Sequence, residues 1–436
     1  MKKHTLLIIA ILFNSYFLFA QNTTGLVFID QEEYKDIPLA TSAMMGTLPS
    51  KVDLSSWFPS PGNQGQQSSC VGWAVAYGLK SYQEARERNL KPTSNNQIYS
   101  PSFIYNQIKL GSCGGGSSIV EALNLLKSSG VSTIEDFPYS EFECSSKPNQ
   151  TVKQKAKNYA IAEWRRVNFS DDIEVKSQLN SGFPIVIGMR VDQGFENLGM
   201  NQIYTNPSGQ EKGGHAMVVT GYDDSKKAYK ILNSWSTNFG TNGYAWVSYS
   251  AFKARVREAY SSQDIVINNP DAVSQIEEQQ NINDNVTIPP PIPPSAVSVN
   301  AILNQPIVNH NQIIQTPIGN QLGMIISVPG NIFNGRGSRA QVVIRFYMQN
   351  GAPLFANVSE KNYRDVHGLV ASGTMRGQVF NDPAPLGNHL IYIPYYALNF
   401  PATNGSVSHN VNVQATLYVN EFEKAKSNMT PMIIRW

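Results

Sequence analysis

Between residues 268 and 297 this chain has no means of building a packed core. Asn268 to Asn285 is polar, with Glu277, Glu278, Gln279 and Gln280 in succession, and Pro289, Pro290, Pro291, Pro293 and Pro294 follow. A proline run of this kind favours extended polyproline geometry and acts as a semi-rigid spacer. The 436 residues are therefore expected to fold on either side of it, as domains 50–267 and 298–436, behind a short lead at 21–49. Charged residues make up 15% of the chain, against about 25% in typical soluble proteins, which excludes a charge-rich disordered protein. The net charge of +2 gives no electrostatic case for nucleic acid. Three cysteines exclude a disulfide-dense miniature scaffold and a four-cysteine zinc ribbon. Histidines at 4, 215, 310, 367, 389 and 409 are too scattered for a metal site, so neither metal nor cofactor is expected.

The first twenty residues read as an address. Lys2 and Lys3 precede an apolar run from Leu6 to Phe13 that resumes at Tyr16 to Phe19, and Ala20 offers a small residue for cleavage before Gln21. This is the pattern of a secretory signal peptide. The alternative is a membrane anchor, but Asn14 and Ser15 interrupt a segment already short for a span. The mature chain is expected to be secreted or periplasmic, off the membrane, where disulfides persist.

The spacing predicts three helices in residues 50–267. Val71, Val75, Leu79 and Tyr82 keep one face, with Ser68 and Ser69 as caps. Ile119, Ala122, Leu123 and Leu126 give a second stripe, and Ser170 to Gly182 a third candidate. Strand-like runs follow at 185–189, 216–220, 229–232 and 244–249. Helices first and strands later suggest an α+β domain with two segregated halves. Beyond the spacer, Val342, Ile344, Phe346 and Met348 alternate, as do Val411, Val413, Ala415, Leu417 and Val419, with Asn-Gly turns between the runs. That pattern predicts an all-β sandwich.

Cys70 stands at the start of the first helix, where the partial positive charge of the N-terminus stabilises a thiolate. On position alone a small buried core cysteine is the better reading. His215, in Gly213-Gly214-His215-Ala216, is the only histidine between residues 5 and 309, so any imidazole base for Cys70 within this domain is His215. Asn233 ends a strand ahead of Ser234 and Trp235. Its amide oxygen can hold the other ring N–H, the role of the third member of a triad; alone it is an ordinary turn residue. Gln64 lies six residues before Cys70. Its amide N–H and the Cys70 backbone N–H can converge on one oxyanion, worth roughly 3 kcal/mol per donor in acyl transfer.

In order and context these residues resemble the papain-like cysteine peptidases. Gln64-Gly65-x-x-x-x-Cys70, Gly-His215-Ala and Asn233-Ser234-Trp235 carry the resemblance, with His215 and Asn233 lying 145 and 163 residues past Cys70. The stretch NSWSTNFGTNGY from Asn233 looks like the family's NSWGxxWGxxGY, Cys113-Gly114-Gly115-Gly116 like its CxGG, and Phe137-Pro138-Tyr139 like its YPY. Val52 to Trp57 resembles its mature N-terminus. The resemblance covers about residues 50–265. It implies a two-lobed α+β fold, with Cys70 as nucleophile, His215 as base and acid, Asn233 orienting the imidazole and Gln64 in the oxyanion hole. It further implies that Gly115 and Gly116 pair with substrate backbone before the cut. Gly214 and Ala216 would line the pocket for the second residue before the cut, with Gly188 widening it. Trp235 would cover the triad and border the far side.

Departures from the family pattern matter as well. Val71 stands where the family has Trp, and Trp73 lies two further on. Gly214 replaces the usual charged or polar residue and leaves that wall open. Gln67 replaces the cysteine that would bridge to Cys113, so the partner left for Cys113 is Cys144, the alternative being two free thiols. Such a loop contributes roughly 3 kcal/mol by chain entropy. The lead is far shorter than the family's inhibitory proregion, so self-inhibition by a long folded propeptide is not expected. The resemblance implies hydrolysis of peptide or protein substrates through an acyl-enzyme; acyl transfer or amide hydrolysis with the same triad, and an inactive binding scaffold, are the alternatives. The C-terminal domain is expected to be accessory. Tyr392, Tyr395 and Tyr396 could line a protein- or glycan-binding groove, though half-buried strand positions are the commoner reading.

Overall fold

The stripe Val71, Val75, Leu79 and Tyr82 is buried along a continuous helical run at residues 70–88. Its ends, Cys70–Gly72 and Ser81–Arg88, are α-helical, and its centre, Trp73–Lys80, is wound as a π-helix. The computed structural model describes residues 23–40, 48–265 and, with short interruptions, 299–435. The signal segment and the proline-rich spacer lie outside the described residues.

The second stripe is the buried face of Ile119–Ser129, capped by the Ser118 side chain accepting from the Val120 N–H. The third candidate forms Asp172–Asn180, where Asp171 accepts from the Ile173 and Glu174 N–H groups. The strands assemble into one eight-stranded sheet. Its order is Ile161–Arg166, Val256–Asp264, Ile185–Asp192, Glu211–Asp223, Ala228–Leu232, Tyr244–Ser248 and Ile203–Tyr204, with Lys51–Asp53 pairing onto Glu211–Asp223. One core, around Val71, Leu79, Phe103 and Leu123, joins the helices to the sheet; a second, around Ile187, Met217, Ile231 and Phe252, fills its other side. Cys113 and Cys144 form a disulfide.

Lys80 is fully buried in the run that begins at Cys70, and it is held by Glu84 at 2.8 Å and Asp264 at 2.5 Å. Removing one partner of a buried ion pair leaves the others desolvated and uncompensated. Lys80→Met is therefore expected to destabilise the chain by about 3–5 kcal/mol, read as a lower denaturation midpoint at unchanged slope.

The C-terminal residues form only β-sheets and a short 3-10 turn among those described. Arg339–Met348 pairs antiparallel with Ser408–Val419 at the centre of a six-stranded sheet. Its alternating residues Val342, Ile344, Phe346, Val411, Val413 and Ala415 share a core with Met324, Ile326, Ile391 and Ile393 of a three-stranded sheet. This additional β region agrees with the all-β pattern read from the sequence.

Candidate active site

The Cys70 helix and the Glu211–Asp223 strand bring the two halves of the site together. The Ala216 N–H, next to His215, reaches the Cys70 sulfur. His215 Nε2 lies 2.7 Å from Asn233 Oδ1, and that oxygen also accepts the Ser234 N–H at 2.8 Å. An atom that takes a backbone N–H is an acceptor, so Nε2 donates to it. Nδ1 is then the basic nitrogen, and it has no hydrogen-bond partner. The Trp235 ring stacks on the imidazole at 4.5 Å between centroids and 22° between planes.

Gln64 is fully buried and tied on every side. Its Oε1 accepts from Ser234 Oγ at 2.6 Å, and its backbone N–H donates to Ser234 O at 2.8 Å. The Tyr139 hydroxyl donates to Gln64 O at 2.7 Å and shares a hydrogen bond with Ser69 Oγ. Trp73 packs on Tyr139 at 4.9 Å, so the tryptophan displaced from position 71 buttresses the Gln64 loop. Gly65 is required there: its φ is +58°, and a Cβ would lie 1.8 Å from Glu141 Oε2.

What the sequence did not reveal is that the lead runs through the site. Thr23 Oγ1 donates to Gly65 O, and the Gln64 amide nitrogen donates to Thr23 Oγ1 at 3.2 Å and to Gln67 O at 2.9 Å. The Trp235 indole N–H donates to Thr23 O at 3.0 Å. The Leu26 N–H donates to Gly214 O at 3.0 Å. Val27 N–H donates to Ser117 O and Ser117 N–H to Gly25 O, in parallel register. The backbone of the lead thus pairs with Ser117. Gly115 N–H instead closes its own loop onto Ser112 O, and Gly116 O accepts from Leu110. The contact of Gly116 with the lead is one of proximity: a Cβ there would sit 2.5 Å from Gly25 O. The open wall at Gly214 has the same explanation, because a Cβ would lie 2.7 Å from Leu26 O and 2.8 Å from the Phe28 ring.

Downstream, the lead is anchored by a short helix, Gln31–Asp36, capped by Asp30. Its Tyr34 hydroxyl sits between Val167 O, at 3.0 Å, and the Ala259 backbone. Ala40 is fully buried and donates to Arg166 O at 2.7 Å. No period marks these contacts in the sequence, since each is made by a different backbone atom or an isolated side chain.

Cys70 and His215 are both fully buried in this arrangement. Burial pushes the Cys70 thiol up to about 12 and lowers the imidazole to about 4, with the Asn233 hydrogen bond opposing the latter shift. Desolvation penalises both charged forms, so thiol and imidazole are neutral at pH 7. The unfolded imidazole takes its proton near pH 6.5 and the folded one near 4, so this group costs stability as pH falls through that window. An NMR titration of His215 in the intact chain is expected to show a neutral ring, with its midpoint near pH 4.

The model of the papain family cysteine proteases matches residues 48–263. Residues 48–263 belong to the papain family of cysteine proteases. Over 201 residues the chain is 27% identical to an uncharacterized peptidase C1-like protein of Acanthamoeba polyphaga mimivirus, covering 43% of this chain and 63% of that protein. Over 206 residues it is 28% identical to gamete and mating-type specific protein A of Dictyostelium discoideum, covering 46% of this chain and 42% of that protein. The chain thus spans about half the length of these curated relatives. Xylellain, a cysteine protease from Xylella fastidiosa, aligns with a TM-score of 0.47 at 24% identity, over 56% of this chain and 97% of that one. No helix among the described residues is long and apolar enough to cross a membrane.

Proposed function

We propose that this chain is an exported cysteine endopeptidase held shut by its own lead. The observation that carries the reading is the His215 ring, with Nε2 committed to Asn233 and Nδ1 left without a partner beside the Cys70 helix. In the open enzyme the Cys70 thiolate attacks a peptide carbonyl. The oxyanion rests on the Cys70 N–H and the Gln64 amide, once Thr23 has left it. His215 protonates the leaving amine and then activates water for deacylation. The Cys113–Cys144 disulfide supports export to an oxidising compartment. The β domain is accessory, binding protein or glycan.

The course of the lead supports closure without self-cleavage. A substrate runs from the pocket at Gly214 and Ala216 towards Trp235. The lead runs the other way, from Thr23 at Trp235 to Leu26 at Gly214. Its peptide bonds therefore meet the site with amide and carbonyl exchanged. The test is an epoxide reagent selective for papain-type thiolates, applied to the purified chain and to a chain opened at the lead, with Cys70→Ala as control. Labelling confined to Cys70 and Cys70-dependent peptide turnover in the opened chain are expected. A folded, opened chain that neither labels nor cleaves would sink the reading.

A further inference from the structure

The strand Ile161–Arg166 lies at one edge of the eight-stranded sheet, and successive side chains of a strand point to opposite faces. Trp164 and Arg166 serve the lead. The Arg166 N–H donates to Pro38 O at 3.1 Å, and its carbonyl accepts from the Ala40 N–H. Its guanidinium donates to Ile37 O at 2.8 Å and lies over the Tyr34 ring. The Trp164 ring meets Tyr260 edge-on at 5.6 Å, and Tyr260 meets Tyr34 of the lead in the same way at 5.7 Å.

Glu163 and Arg165, on the other face, serve the C-terminal β region. The Glu163 carboxylate pairs with the Lys424 ammonium, the two side chains being 18% and 7% exposed. Charges leave water at a cost that only close pairing offsets, so this contact holds one geometry. The Arg165 guanidinium donates to Glu423 O at 2.6 Å and lies 5.6 Å over the Phe422 ring. Phe422 is fully buried and stacks on Phe183 at 5.6 Å between centroids and 28° between planes. Nearby, His367 Nε2 lies 3.7 Å from Asp171 Oδ2 and 3.8 Å from Glu174 Oε2, on the wall of a cavity of about 260 Å³. Leu39 of the lead lines that cavity together with Tyr347 and Leu369 of the β region.

Residues 163–166 are thus gripped from both faces, by the lead on one and by the β region on the other. A shift of the strand that suits neither partner costs contacts with both. Resting on the closed-lead reading above, we propose that the β region is an intramolecular clamp on the lead. Its docking on Glu163 and Arg165 steadies the strand that anchors residues 37–40, so undocking it favours release of the active site. Coupling between two binding events is reciprocal, so opening the lead also weakens the docking.

The test uses the full chain. Lys424→Glu sets a carboxylate against Glu163, and Phe183→Ala removes the stack from the peptidase side while leaving every β-region residue in place. Docking is read as the radius of gyration by small-angle X-ray scattering, and opening as the rate at which the epoxide labels Cys70. Each substitution is expected to expand the chain and to speed labelling about tenfold, within the roughly 5–150-fold range of ordinary coupling between sites. In the Gly25→Val background neither is expected to change the labelling rate by more than about twofold, because the lead to which the β region is coupled has already gone. Gly25→Val alone is expected to expand the chain as well. An expanded chain that labels at the wild-type rate would overturn the clamp and leave the closed-lead reading intact. A chain that stays compact in both variants would overturn it too, since these contacts would then not be what docks the β region. Labelling of the Gly25→Val chain no faster than wild type would instead overturn the closed-lead reading on which the clamp rests. Should Lys424→Glu fail to fold, Phe183→Ala carries both readouts with the β region unaltered.

Discussion

Gly25→Val is expected to raise the rate of Cys70 alkylation in the intact chain by about 100-fold or more. Gly25 passes so close to the 64–70 loop that a Cβ would lie 2.2 Å from Ser68 O and 2.6 Å from Ser68 C. Both are backbone atoms, and neither can rotate away. The loop they belong to is held by Tyr139, Ser234 and Glu141, so the lead is the part that moves. Losing its register forfeits the Gly214 and Ser117 hydrogen bonds and the burial of Leu26 together. At about 1 kcal/mol per net hydrogen bond and roughly 2 kcal/mol for a buried leucine, a loss of ~3 kcal/mol is a conservative figure, and 1.4 kcal/mol is about tenfold. The same substitution restores water to Cys70 and His215, so the opened chain should alkylate at mildly acidic pH, where the closed chain does not. Slow alkylation in a folded Gly25→Val chain would show that something other than the lead covers the thiol.

Gln64→Ala is expected to act in opposite directions in two backgrounds. In the intact chain it removes the donor that holds Thr23 Oγ1, which loosens the lead and speeds Cys70 alkylation several-fold. In the Gly25→Val chain it removes one of two oxyanion donors, and kcat should fall by about 10²–10³ with KM nearly unchanged. A residue that only braced the loop would move both readouts the same way. Steady-state kinetics on one peptide, with active sites titrated, separates the two.

How much of this was legible before the structure depends on what each element rests on. The Cys70 helix, the Ile119–Ser129 helix and the central strands follow from periodic burial, and their apolar residues lie in the core. The Cys70, His215, Asn233 and Gln64 constellation was legible because each residue type is the one its chemistry requires, and because only one histidine was available. The Trp73 buttress was visible only as a displaced tryptophan, with no indication of what it supports. Ser117 was missed because backbone pairing leaves no mark on side-chain identity.

The lead shows the same limit most clearly. Its residues have no period and no motif, and from its length alone no long folded proregion was expected. Its described residues, 23–40, cross the site by borrowing their structure from Gly214, Ser117, Trp235 and Arg166 instead of building their own core. The amino-acid sequence by itself carried the likeness of residues 48–263 to the papain family and the all-β pattern beyond the spacer, while the choice between a Cys113–Cys144 bridge and two free thiols waited for the structure. The likeness and the pattern rest on local composition, periodicity and the chemistry of single side chains. Only the tertiary structure decided that the lead crosses the site, and in which direction. Those depend on approaches of a few ångströms between segments some 40 to more than 200 residues apart, which no local pattern encodes.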